Sequence, residues 1–147
     1  MLIDDVQQAM YQAMKAREPR ETAALRLALS ALKSAAIDAR GDLSDDEAVA
    51  VLQREARKRR EAEQVYRDAG RAAQADQEAY ERSVLERFLP AALDPAELAR
   101  LVDEAVAASG ASGPKELGKV MGRLMPQVKG RADGKRVSAA VKEKLTA

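Results

Sequence analysis

The sequence predicts an all-α protein: an N-terminal domain of about four helices over residues 1–93, followed by a small three-helix bundle over 94–147. Three observations lead there. Apolar residues recur at the three- and four-residue spacing of a helix face along the whole chain. The apolar stock is Ala, Leu, Val and Met, with one Phe, three Tyr and no Trp, which suits closely packed helices better than a β-sandwich. Finally, Pro90 and Pro95 bracket a stretch that cannot lie inside one regular helix, because each proline lacks an N–H and crowds the preceding turn.

The elements follow in order. Ile3, Val6, Met10 and Met14 mark one face of a first helix, and Glu18-Pro19 ends it, since a residue before proline is pushed out of the α region. A second helix turns Leu25, Leu29, Leu32 and Ala36 inward and is stopped by Gly41. Ser44-Asp45-Asp46-Glu47 is a capping box in which Ser44 accepts from the Glu47 N–H while the Glu47 carboxylate reaches back to Ser44. The helix it opens should run to about Ala69, ahead of Gly70. A fourth helix carries Ala72, Ala75, Tyr80, Val84, Leu85 and Phe88 toward Pro90.

Beyond the proline joint, Asp94 is the N-cap, Pro95 takes N1 and Glu97 takes N3 of a helix whose inner face is Leu98, Leu101, Val102, Ala105 and Val106. Residues 109–113 form a turn rich in Ser and Gly. The next helix begins near Pro114 and is bounded by Pro126. Asp133-Gly134 then caps a last helix with Val137, Val141 and Leu145 inward.

Composition removes several chemistries. The chain has no Cys, hence no disulfide, thiolate ligand or thiol nucleophile, and no His. Ser109, Ser112 and Ser138 are the serines to weigh as nucleophiles, but none has a base in view. Most carboxylates fall at helix starts or at helical spacing from Lys or Arg, where capping and solvation account for them. Neither an all-oxygen metal loop nor a phosphate-binding glycine loop of the P-loop kind occurs. We therefore expect no catalytic residue, no metal and no cofactor. The acidic start Leu2-Ile3-Asp4-Asp5 is unlike a signal peptide and no apolar run could span a bilayer, so a cytoplasmic location without membrane contact is expected.

Net charge of +1 hides an asymmetry. Residues 1–93 hold fifteen Lys/Arg against seventeen Asp/Glu, whereas residues 115–147 hold nine against three. The C-terminal end is where a polyanion would bind. Within it, Gly118 and Gly122 share a helix face and would let another helix approach closely, at a cost of about 1 kcal/mol each relative to Ala. Lys129-Gly130-Arg131 is a turn with a glycine free to take positive φ, and the helix start at Asp133-Gly134 is flanked by Lys129, Arg131, Lys135 and Arg136. That arrangement reads equally as a phosphate cradle and as a tight, solvated helix-helix turn. A second basic run, Arg54 to Arg60, wraps its helix at about 100° per residue, so its cations cannot all share a face. A solvated helix is the favoured reading there, with auxiliary RNA contact as the other.

The stretch Gly118-Lys119-Val120-Met121-Gly122, then Leu124-Met125-Pro126, then Lys129 to Gly134 and Val137 resembles the signature of the GatB/YqeY domain. The upstream segments Met10–Lys15, Arg54–Arg60, Ala69-Gly70-Arg71 and Phe88-Leu89-Pro90 are similar to those of stand-alone YqeY-like proteins, so the resemblance covers essentially the whole chain. It implies a helical domain followed by a three-helix domain. In the B subunit of the aspartyl/glutamyl-tRNA amidotransferase the similar domain is a tail that contacts tRNA and does not carry the chemistry. The carbon-nitrogen ligase activity with glutamine as amido donor belongs to the catalytic body of that subunit, so the resemblance does not lead us to expect it of this chain.

Carried over residue by residue, the resemblance implies RNA contact by Lys119, Lys129, Gly130 and Arg131, on a surface shaped by Gly118, Gly122, Asp133 and Gly134. Charge alone adds Arg123, Lys135 and Arg136. The expected role is a non-catalytic accessory protein that binds tRNA or another structured RNA through phosphates and shape. The alternative is a helical adaptor docking on the amidotransferase or another protein of the translation machinery.

Overall fold

The computed structural model describes residues 1–147, and all of its regular structure is helical. The α-helices are α1 (Leu2–Lys15), α2 (Pro19–Ala39), α3 (Asp45–Asp68), α4 (Ala72–Glu86), α5 (Pro95–Ser109), α6 (Leu117–Val128) and α7 (Gly134–Thr146), with one 3-10 turn at Pro114–Glu116. The chain divides into two compact units, Met1–Leu89 and Pro90–Ala147.

In the first unit α2 is the central helix, packing against α1, α3 and α4, and α3 pairs along much of its length with α4. Val6, Leu25, Leu32, Leu52 and Val84 are fully enclosed. Buried Ala13, Ala24, Ala28, Ala48 and Ala56 lie among them, and their small side chains let the helix backbones come close. On α1 the inner face runs through Val6 and Ala13, and Met14 is 45% exposed. The expected 3,4,4 spacing overshoots there because a period of 3.6 brings residue 13 back to the core side.

The capping box on α3 is complete: Glu47 N–H donates to Ser44 Oγ at 3.2 Å and Ser44 N–H donates to Glu47 Oε2 at 2.8 Å. The end of α2 differs from expectation. The left-handed residue is Arg40, with φ of 56°, while the Gly41 N–H donates back to the Ala36 carbonyl. Arg40 therefore makes the turn in the position where glycine is usually found, and Gly41 closes the outer hydrogen bond.

Ion pairs join α3 to α4 beyond the apolar core. Arg59 Nε lies 3.0 Å from Glu81 Oε2, Arg82 Nη1 lies 2.6 Å from Glu63 Oε1, and Arg67 bridges Glu63 and Asp76 at 2.9 and 3.2 Å. Hydrogen bonds from Arg67 and then Arg82 hold the Glu63 carboxyl below its ordinary range. Glu78 is pushed the other way, first by burial and then by the Glu81 charge. Its Oε2 stands 3.7 Å from Arg59 Nε and neither atom has a hydrogen-bond partner. The Arg20 guanidinium sits 3.8 Å from the Tyr80 ring centroid, tying the start of α2 to α4.

The second unit is built on a core without aromatics. Val120, Leu124, Val128, Val137 and Val141 are completely enclosed, joined by Leu93, Leu98 and Val102. Leu93, placed by the sequence at the end of the first domain, thus belongs to the second core. Asp94 caps α5 by accepting from the Glu97 N–H at 2.8 Å, and Gly110, with φ of 71°, ends it. Pro126 does not bound α6, which continues to Val128. It falls in the last turn, where the missing N–H forfeits only the bond to the Gly122 carbonyl, and Lys129 N–H still reaches the Met125 carbonyl at 2.9 Å.

Candidate nucleic-acid interface

The candidate residues lie on α6, on the turn from Lys129 to Asp133 and on the first turn of α7. Lys119 and Arg123, four apart, share one exposed face of α6 with Gly118 and Gly122. Nothing lies within 4 Å of a Cβ built on Gly118, Gly122 or Gly134. The close helix approach expected at Gly118 and Gly122 is therefore not made by another helix of the second unit, and both glycines are exposed.

Gly130 adopts φ of 84°, which lets the chain reverse between Lys129 and Arg131 at little steric cost. The turn is tightened by the Arg131 and Ala132 N–H groups, both donating to the Val128 carbonyl. Lys129 leaves α6 with an exposed side chain at the carbonyl end of the helix, where the dipole favours a cation.

The cations around this turn divide into two groups. Arg131 and Arg136 are used inside the unit: Arg131 Nε donates to the Ala91 carbonyl at 3.2 Å, its Nη2 lies 3.5 Å from Glu97 Oε2, and Arg136 Nη1 donates to the Leu93 carbonyl at 3.2 Å. The Leu93 N–H in turn donates to the Arg131 carbonyl at 2.9 Å. Together these bonds hold the segment from Ala91 to Leu93 and seat the Leu93 side chain in the core. By contrast, Lys119, Arg123, Lys129 and Lys135 are exposed and none has a carboxylate within 4 Å.

The helix start at α7 is itself capped. Asp133 Oδ1 accepts from the Lys135 N–H at 3.2 Å, so a carboxylate already stands at the amides that a phosphate would use. The Lys135 amide at this helix start is thus already taken, whereas the side chains of Lys129 and Lys135 are exposed. The structural partners Ala91, Leu93 and Glu97 were not legible as such in the sequence, because they are brought to the turn only by folding across some forty residues.

On the first unit, the Arg54–Arg60 run is partly consumed by ion pairs. Arg59 serves Glu55, Glu78 and Glu81, and Lys58 lies 3.2 Å from Glu55. Arg54 and Arg60 remain exposed without a carboxylate in reach.

No group of three Asp, Glu, His or Cys side chains is placed to hold a metal ion. Ser109 is buried, donates to the Val106 carbonyl at 3.0 Å and accepts from the Ala111 N–H at 3.2 Å, a capping role that leaves its hydroxyl enclosed. No helix is long and apolar enough to cross a membrane.

A comparison with curated proteins gave no significant match. The family model described as Yqey-like protein matches residues 3–145, which spans both units and every helix from α1 to α7. On that match the chain belongs to the YqeY-like protein family.

Proposed function

We propose that this chain is a non-catalytic accessory protein that binds structured RNA, with tRNA as the first candidate, through phosphate contacts from Lys119, Arg123, Lys129 and Lys135. The observation that supports this reading most is their combination of exposure and lack of any anionic partner, in a segment where Lys and Arg outnumber Asp and Glu by nine to three. A long basic side chain left free at a protein surface retains its hydration until a polyanion replaces condensed counterions with it. Gly130 and Gly134 shape the approach; Arg131 and Arg136 act behind it by fixing the segment from Ala91 to Leu93.

The mode of recognition is shape and phosphate. Phe88 and Tyr11, Tyr66 and Tyr80 all lie in the first unit, so the second unit carries no aromatic ring on which a base could stack. Binding of labelled tRNA should weaken steeply as salt rises. Lys129→Ala should lower the magnitude of the log-log slope by about 0.7 to 0.9, the amount due to one phosphate no longer neutralised. A slope unchanged in Lys129→Ala would remove that residue from the interface.

A further inference from the structure

A groove on the first unit is built from none of the residues proposed to contact RNA and is independent of that reading. Along α2, Arg26, Ser30, Lys33 and Ile37 follow at spacings of four, three and four and so form one continuous stripe. With Met10 of α1 and the edge of Leu29 they line an open groove of about 480 Å³. Ser30 and Ser34 are short, and Met10, Leu29 and Ile37 supply the apolar part of the lining. Ile37 is 75% exposed, more than any other large apolar side chain of the protein. Met14, one helical turn beyond Met10, extends the apolar strip and accepts a long contact of 4.0 Å from Arg26 Nη2.

Charge selects the occupant. Arg26 and Lys33 both line the groove, neither has a carboxylate within 4 Å, and no acidic residue is among the lining side chains. The neighbouring groove beside α3 differs, since its lining mixes Asp38 and Glu47 with Arg54 and Arg57 and has no net charge. Arg26 and Lys33 are seven residues apart, about 10 Å along the helix. The stripe from Arg26 to Ile37 spans about 16 Å, or three helical turns. Cations at that separation beside apolar groups complement an amphipathic helix whose acidic residues also recur seven positions apart next to its apolar face. A nucleic acid would have to lay desolvated phosphates against Ile37 and Met10, which gives back nothing for the lost hydration. Methionine suits such a groove, because its flexible thioether adapts to different apolar partners.

We propose that the α1–α2 groove docks an acidic amphipathic helix of a protein partner, with Ile37, Met10 and Met14 taking its apolar face and Arg26 and Lys33 pairing with its carboxylates.

The test is selection of displayed helical peptides on the full chain, followed by titration of the enriched sequences against variants. Enriched peptides should share two acidic positions seven apart around an apolar pair. They should bind Ile37→Asp at least about tenfold more weakly, with thermal unfolding showing that this exposed site has not disturbed the fold. In the Arg26→Glu/Lys33→Glu double variant, preference should reverse toward the same peptides carrying Lys in place of the acids. The proposal is overturned by peptides that bind Ile37→Asp as well as wild type, or by winners without the acidic spacing. Failure of enrichment also overturns it, and binding of the chain to phosphatidylserine-containing vesicles in that case would assign the groove to a membrane surface.

Discussion

Arg131 is the residue whose assigned role changes most between sequence and structure, and its replacement gives a sharp test. Arg131→Ala removes the hydrogen bond from Nε to the Ala91 carbonyl and the approach of Nη2 to Glu97, while the backbone carbonyl that accepts from Leu93 remains. A hydrogen bond from a charged donor contributes about 1.5 to 3 kcal/mol when well enclosed. The Arg131 side chain is 37% exposed, so solvent screening reduces this to about 1 kcal/mol, and the exposed pair with Glu97 adds at most about 1 kcal/mol. A loss of about 1 to 2 kcal/mol follows, or about five- to thirtyfold in the opening equilibrium. The second unit has no aromatic residue, so fluorescence is blind to it and amide hydrogen exchange is the proper assay. The Leu93 amide should exchange about five- to thirtyfold faster in Arg131→Ala. In Lys129→Ala, an exposed position, stability should stay within about 0.5 kcal/mol and exchange should scarcely change. Unaltered exchange at Leu93 in Arg131→Ala would show that the arginine does not hold this segment.

Other outcomes follow from the same structure. Ser44→Ala should destabilise the first unit by about 1 kcal/mol through loss of the cap, seen as a lower urea midpoint with an unchanged slope; an unmoved midpoint would mean that the bond to the Glu47 N–H contributes nothing. Gly122→Ala should stabilise α6 by up to about 1 kcal/mol, since a Cβ there meets no atom within 4 Å; destabilisation in calorimetry would reveal packing against that face. Glu78→Gln should raise stability at neutral pH by no more than about 1 kcal/mol. Glu78 faces Glu81 and Arg59, with Glu55 on the same arginine, and its carboxyl is raised above its ordinary range, so the ionised form opposes folding. That penalty grows as pH rises through the folded-state value and vanishes below the unfolded one. The advantage of Glu78→Gln in urea titrations should accordingly disappear in acid, and an advantage that persists there would locate its cause elsewhere.

What the sequence made legible was local. The caps at Ser44, Asp94 and Asp133 each rest on a side chain reaching an amide two or three residues away, so their residue types alone announce them. Gly70, Gly110 and Gly130 were readable as turns for the same reason, and all three have positive φ. The misreadings arose where two local rules compete or where the partner is distant. Arg40 rather than Gly41 turns the chain because the outer bond from Gly41 N–H to the Ala36 carbonyl and the inner one from Arg40 N–H to the Ile37 carbonyl put the left-handed conformation on residue 40. Pro126 is tolerated because it falls in the final turn of a helix whose inner face, Val120, Leu124 and Val128, is held by the core. The basic turn read as a set of equivalent cations. Folding separates Arg131 and Arg136, bonded to carbonyls of residues 91 and 93, from the lysines left in solvent, and no spacing rule carries that distinction.

We propose that the free cations of the second unit bind RNA phosphates. It is tested most directly by fluorescence anisotropy of labelled tRNA at about 50 and 200 mM salt. The wild type is compared with Lys119→Ala/Arg123→Ala/Lys129→Ala and with Arg54→Ala/Arg60→Ala on the first unit. The account predicts affinity falling with salt and a slope shallower by about two to three units in the triple variant. The first-unit variant should keep the wild-type slope. Absence of binding at the lower salt, or a triple variant that binds with an unchanged slope, would contradict it.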